Sequence, residues 1–442
     1  MRGAWPLRFA HPGFGSVLDI AFPGEADRLS AVRYIHDRYE GLPGAETVSV
    51  AWLIGSHDWE FVVQFIIGLG SIALIAAILV DAFEAVLLPR RVTHGYRFIR
   101  FFYRQTWGGW RRIIKLAPSP RQRESMLSIF GPMALLALIG IWASGLVIAF
   151  GLLHWALKTP ITAEGTRSNL ESYLYFSGTT FFTLGYGDLT PTGTLGRFLA
   201  VAESGLGFGF LAMIIGYHPV LTQAFSKREI VISLLDARGG SPPTATQILA
   251  RCRGPHAEQL MFGNMVTWET WAAELLESSL SFPMLAYYRS QHDNQSWLAA
   301  LTVVLDTCAL KICGTGQPCQ QQALLTFAIA RHAAVDLTLV FKIIPVAPEH
   351  DRLGPATLIK LKQLLSVTDN PIPEGERTEL KLAELRAMYE PFVNGLGRYF
   401  LLKLPDFVPR QPTADNWQTS AWMPRTPGIL DLPNVERGDH FE

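Results

Sequence analysis

The densest chemistry in the chain lies in nine consecutive residues, Thr180-Phe-Phe-Thr-Leu-Gly-Tyr-Gly-Asp188. Gly185 and Gly187 can take backbone angles closed to residues that carry a Cβ. Alternating with Leu184 and Tyr186, they let successive carbonyl oxygens face one axis, and Thr183 adds a hydroxyl at the end of the row. Carbonyl oxygens only accept, so a convergent row of them suits a bare monovalent cation. Thr179 and Thr180 lead into the row and Asp188 closes it. A glycine turn before a helix would explain the glycines alone. It would not explain the full spacing, or the apolar span on either side.

The stretch resembles the signature of the potassium channel superfamily, Thr-x-x-Thr-x-Gly-Tyr-Gly-Asp. The match falls at Thr180, Thr183, Gly185, Tyr186, Gly187 and Asp188, with Leu184 where Val is usual. The resemblance implies stacked rings of carbonyl oxygens that replace the water shell of K+, a selectivity chemistry already established for this filter class. It implies that residues 183–188 coordinate the ion and that Thr179 and Thr180 belong to a pore helix. It also implies that the side chain at 184 points into the packing behind the filter, so Leu184 bears on strict selectivity. The family's inner helix carries a glycine about twenty residues after the filter aspartate, and Gly207 fits that position, either as a hinge or as a glycine that allows close helix packing. No cofactor is expected beyond K+ as permeant ligand.

The rest of the chain must hold this stretch in place. It is 49% hydrophobic and 17% charged, against about 25% charged in ordinary soluble chains. The net charge is zero, so no general affinity for nucleic acid follows. Phe61–Val80 is free of charge and long enough to span a bilayer. Its helix can continue to Leu88, ahead of Pro89. Asp81 and Glu84 share a face there, at the membrane edge, either pairing with Arg90, Arg91 or the basic segment beyond, or forming a cation-attracting or gating-coupled carboxylate pair. Residues 90–123 hold ten Lys or Arg and no acid, so this loop is expected on the cytoplasmic side. Its basic and aromatic residues at helical spacing suggest a helix lying on an anionic inner leaflet.

Met126–Leu153 reads as a second span and Gly196–Phe225 as a third. Between them, Glu171–Phe182 is too short to cross and reads as a re-entrant pore helix, tolerable at that depth only inside protein or beside water. Glu203 is an acid within the third span, which makes it a functional candidate by default. One pore loop per chain and no internal repeat mean that fourfold rings require a homotetramer. The topology places the N-terminus outside and the C-terminus inside, in a plasma (inner) membrane. No arginine array marks a voltage sensor.

The expected fold class is an all-α membrane protein with three transmembrane helices, a re-entrant pore helix and an all-α cytoplasmic domain. The expected divisions are an N-terminal segment 1–58, a first span 59–89, a basic segment 90–125, a pore domain 126–225, a helical domain 226–404 and a Pro-rich tail 405–442. Residues 1–58 show no secretory leader, and Glu25–Tyr39 could form a short helix. In the helical domain the expected helices are Met261–Ser279, Trp297–Leu310, Ala323–Val335 and Leu380–Leu402, the last broken or kinked at Pro391. Leu337–Ile344 is ambiguous between strand and helix. The polar run Arg289–Ser296 reads as a capped turn or a small-ligand site. No Gly-x-Gly-x-x-Gly follows a strand, so a nucleotide-binding regulator is not supported. The four cysteines are expected to be reduced thiols, and their spacing does not suit zinc.

The extra first span, Asp81 with Pro89-Arg90, and the helical tail resemble a bacterial subgroup of these channels over roughly residues 60–400; that likeness names no cytoplasmic ligand. The function expected is passive K+ conduction. The alternatives are a nonselective cation channel and a membrane-anchored sensor or interaction protein with a vestigial pore. No nucleophile–base or metal-ligand constellation points to an enzyme.

Overall fold

The computed structural model describes residues 7–9, 18–20, 57–86, 98–162, 169–290, 295–314 and 317–409. The expected helix at 25–39, the Arg90–Arg91 pair and the tail beyond 409 lie outside the described residues. The protein is an all-α membrane protein in its main elements. It also has two short antiparallel strand pairs that the sequence did not announce: β1 (Leu7–Phe9) with β2 (Leu18–Ile20), and β3 (Ile161–Thr162) with β4 (Thr190–Pro191).

The membrane helices are α1 (His57–Val86), α3 (Pro120–Ala156) and α5 (Thr194–Gly239), with the short pore helix α4 (Leu170–Phe181) between the last two. Each long helix has an apolar stretch sufficient to cross a bilayer. A fourth helix, Gln317–Val340, meets the same criterion over Cys319–Val340. It packs within the C-terminal bundle and carries Arg331, His332 and Asp336. Helix α5 runs unbroken through Pro219 to Gly239, so the inner helix continues directly into the C-terminal region.

Close contacts divide the chain into two compact units, one of residues 1–74, 148–178 and 186–200, the other of 75–147, 179–185 and 201–442. In the first unit, α3 lies tightly on α4: a Cβ at Gly151 would sit 2.8 Å from Leu174 Cδ2 and 3.1 Å from Leu174 Cα. The Tyr173 hydroxyl donates to the Thr159 carbonyl at 2.8 Å, fixing the start of the pore helix to the loop after α3.

In the second unit, α1 and α3 meet where Gly145 leaves room for Ile78. There Trp142 Nε1 donates to Asp81 Oδ2 at 2.9 Å. The acid at the edge of the first span therefore has an indole partner on the second span, which the sequence did not suggest.

The C-terminal bundle comprises α6 (Ala245–Arg251), α7 (Ala257–Ser281), a 3-10 turn Pro283–Tyr287, α8 (Trp297–Cys313), α9 (Gln317–Val340), α10 (Pro355–Ser366), α11 (Glu376–Ala387) and α12 (Glu390–Phe400). Every residue of α8 is buried. A helix apolar on all sides must be a core helix, and its few polar groups have partners. Thr302 and Thr307 bond back to the Leu298 and Val303 carbonyls, each at 2.7 Å. Lys311 Nζ reaches Glu258 and Asn370, each at 3.1 Å. Asp306 accepts both Nη groups of Arg352, at 2.8 and 2.9 Å. All four cysteines are free and buried.

The polar run before α8 ends in a cap: Ser296 accepts from the Ala299 N–H at 3.0 Å. Leu337–Val340 is helical, within α9. The break expected at Pro391 falls at Met388–Tyr389. Pro391 sits in the first turn of α12, where its missing N–H costs nothing. The start of the Pro-rich tail is not loose. Phe407 and Val408 are buried, the Thr246 hydroxyl donates to the Phe407 carbonyl at 2.6 Å, and Arg352 donates to the Pro405 carbonyl at 2.8 Å.

The amphipathic helix in the basic segment forms as α2 (Phe98–Ile114). Its Phe102, Tyr103, Trp107 and Ile114 are buried. They are not all available to a lipid leaflet, because Tyr103 and Trp107 pack on Tyr287, and Trp107 Nε1 donates to the Tyr399 carbonyl at 3.0 Å. Phe98 and Phe101 on the same helix remain exposed.

Candidate functional site: pore helix and filter

Helix α4 ends by turning its own last carbonyls onto the segment that follows. The Thr183 N–H bonds the Thr180 carbonyl at 3.0 Å. The Leu184 and Gly185 N–H groups converge on the Thr179 carbonyl at 2.8 and 3.3 Å. Thr183 has φ of +56°, the left-handed residue that commonly terminates a helix. Glycine is the usual occupant. A β-branched residue there is a genuine outlier, of a kind that clusters at functional sites.

The left-handed backbone then recurs at every second residue. Gly185 has φ of +54° and Gly187 of +80°, while Leu184 and Tyr186 are not left-handed. Alternating handedness turns successive peptide planes so that their carbonyls leave on one side. The reverse sense of the same alternation gathers N–H groups into anion nests. Residues 183–187 thus alternate in backbone handedness and carry no charged side chain.

The inner helix packs against the end of α4. Gly207 is buried, and a Cβ there would lie 1.9 Å from the Phe181 carbonyl oxygen. Phe210, one turn further, packs its ring on Phe181 at 6.1 Å. Glu203 is fully buried, with 0% exposed. It shares the helical face of Gly207 and Phe210, so it faces the pore-helix side and not lipid. This close approach accounts for a glycine at 207 by packing alone; bending there is a separate matter.

At the other end of the filter, the Tyr175 side chain hydrogen-bonds Asp188. Tyr175 and the Phe181 carbonyl are two supports the sequence did not single out. Tyr175 carried a signal only in being an aromatic donor on the pore helix. Thr179 is buried; Glu84 and Asp81 lie half-buried on α1, remote in sequence from the filter. The sequence-predicted residues thus fall into a filter group, 179–188 with 203 and 207, and a separate pair at 81 and 84.

Several long apolar helices and a re-entrant helix followed by this alternating segment define a multi-pass membrane protein with a pore-loop ion-channel domain. Residues 136–219 match the family described as "Ion channel". Protein LctB of Geobacillus stearothermophilus is 37% identical over 84 residues, 17% of this chain and 62% of that protein. Protein LctB of Bacillus caldotenax is 34% identical over 84 residues, again 62% of its length. The uncharacterized membrane protein YdjJ of Bacillus subtilis is 27% identical over 228 residues, 49% of this chain and 61% of that protein. The chain thus spans about three fifths of the length of these relatives. No solved structure matches the chain.

Proposed function

We propose that the protein conducts K+ passively through a homotetrameric pore and that its helical C-terminal domain gates that pore. The observation that carries this reading is the left-handed backbone at Thr183, Gly185 and Gly187, one residue in two. Such a row offers oxygens to a dehydrated cation and nothing to an anion. One chain supplies only one side of a ring. Leu184 and Tyr186, on either side of Gly185, are 55% and 69% exposed. Large side chains left open beside a filter favour further copies of the same chain around the axis.

The test is flux in liposomes holding the purified protein, with K+ or Na+ as the only permeant cation. Strong preference for K+, lost in Gly185→Ala, is the expected result. Equal K+ and Na+ flux would establish the nonselective alternative, with Leu184 the first residue to exchange for Val. No flux of either ion from folded protein would leave a membrane-anchored sensor with a vestigial pore.

A further inference from the structure

The turn Pro283–Tyr287 and its cap Tyr288 touch three helices that lead into or out of the membrane. On α5, the Tyr217 hydroxyl lies 3.1 Å from Met284 Sδ, and the Phe225 ring lies 5.9 Å from that of Tyr288. Arg228, 5% exposed, donates from Nη1 to the Leu285 carbonyl at 2.8 Å and from Nη2 to the Tyr288 carbonyl at 3.1 Å. On α3, a Cβ at Gly131 would meet the Tyr288 ring at 2.7 Å, and Phe130 packs on Tyr287 at 5.5 Å. On α2, Tyr103 stacks on Tyr287 at 5.4 Å.

The contacts with α5 fall on both sides of Pro219. Tyr217 precedes it; Phe225 and Arg228 follow. Proline offers no N–H to the preceding turn, so α5 is most easily bent there. The segment after Pro219 also has room to move. An open groove of about 280 Å³ lies between it and α7, lined by Val220, Gln223, Lys227, Trp271 and Glu274 among others. The two helices meet where Trp271 Nε1 donates to the Arg228 carbonyl at 3.2 Å. A bend at Pro219 would change the separation of Tyr217 from Arg228, and the turn holds both.

We propose that residues 283–288 form a clamp across Pro219, through which the C-terminal domain sets the bend of the inner helix, with Arg228 as its positioning residue. This rests on the gated-pore reading above. Arg228 touches no permeant ion. Its rigid fork joins two carbonyls three residues apart, which a lysine's single ammonium does not reproduce. The clamp ties α5 to α2 and α3, so a shift in the C-terminal bundle reaches the inner helix without passing through the filter.

The experiment compares full-length wild type, Arg228→Lys, Pro219→Ala and the double variant in liposomes. Each is measured for K+ flux, for K+ over Na+ preference, and for amide hydrogen exchange across residues 220–232. Arg228→Lys is expected to change K+ flux about fivefold or more with ion preference intact, and to speed exchange about tenfold. In the Pro219→Ala background both effects should largely vanish, since there is no bend to restrain. Equal effects of Arg228→Lys in both backgrounds, or none in either, would overturn the clamp. If Arg228→Lys does not fold, Met284→Leu replaces it, removing the sulfur that meets the Tyr217 hydroxyl while keeping an apolar side chain at this buried position. If wild type passes no ion, the pore reading fails. Exchange still decides the clamp: protection lost only where Pro219 is present supports it, and unchanged protection overturns it.

Discussion

The inner helix touches the end of the pore helix through Gly207 and Phe181, so closely that a Cβ at 207 would stand 1.9 Å from the Phe181 carbonyl oxygen. The obstacle is main chain, which cannot swing aside as a flexible side chain would. Gly207→Ala must therefore push α4, and with it Thr183, out of place. Overpacking of this kind costs about 1–3 kcal/mol or more. The expected outcome is a lower melting temperature together with loss of K+ flux. A glycine needed only for bending would leave the melting temperature unchanged and alter opening alone.

Gly185→Ala and Gly187→Ala put a Cβ on backbone with φ of +54° and +80°. Each left-handed non-glycine residue costs about 1–2 kcal/mol. K+ flux per folded protein should fall by about tenfold or more. Gly108→Ala, in α2 with nothing near its absent side chain, is the control and should leave flux unchanged.

The hydrogen bond from Trp142 to Asp81 fastens the first span to the second. Trp142→Phe removes the donor and leaves the carboxylate without its indole. Bonds to charged groups contribute about 1.5–3 kcal/mol, so thermal unfolding in detergent should shift downward by several degrees. Ion preference should not change, because neither residue lies near the filter in sequence.

Asp306 and Arg352 form a buried pair in the C-terminal core, with side chains 1% and 9% exposed. Glu390 and the ring of Phe407 complete the cradle around Arg352, and the Tyr389 hydroxyl donates to Asp306. Asp306→Ala removes the carboxylate that holds both Nη groups and leaves the buried guanidinium to Glu390 and the Pro405 carbonyl. The loss should approach about 3–5 kcal/mol, as is usual for a broken buried pair. Glu379→Ala breaks the more exposed pair with Lys362 and should cost under about 1 kcal/mol. Chemical denaturation followed by tryptophan fluorescence separates the two.

Asp351 gives the same network a pH dependence. Burial alone would raise its carboxyl; the Arg386 hydrogen bond, the Leu353 N–H and the charges of Arg386 and Arg352 outweigh that and hold it below the ordinary range. A carboxyl lowered on folding adds stability that is full above its unfolded pKa, about 3.9, and is lost as pH falls through the folded value. Wild type should therefore exceed Asp351→Asn by a constant margin above about pH 5, and the margin should shrink below pH of about 4.

The left-handed backbone at Gly185 and Gly187 was legible residue by residue, because it lies in the backbone freedom of those positions. Glycine at 185 and 187 states the handedness directly. The apolar spans were equally local, since hydropathy is read along the chain, but the run of α5 past Phe225 to Gly239 was not part of that reading. The break near Pro391 was placed two residues late, because proline favours a helix's first turn as much as it ends one. Only tertiary structure could pair Trp142 with Asp81, set Gly207 on the Phe181 carbonyl or bring Trp107 to Tyr399. Each joins residues far apart in sequence through shape, and shape leaves no periodic trace. The turn Pro283–Tyr288 makes the point most strongly. Its six residues form no motif, and their meaning comes from the three helices that packing brings around them.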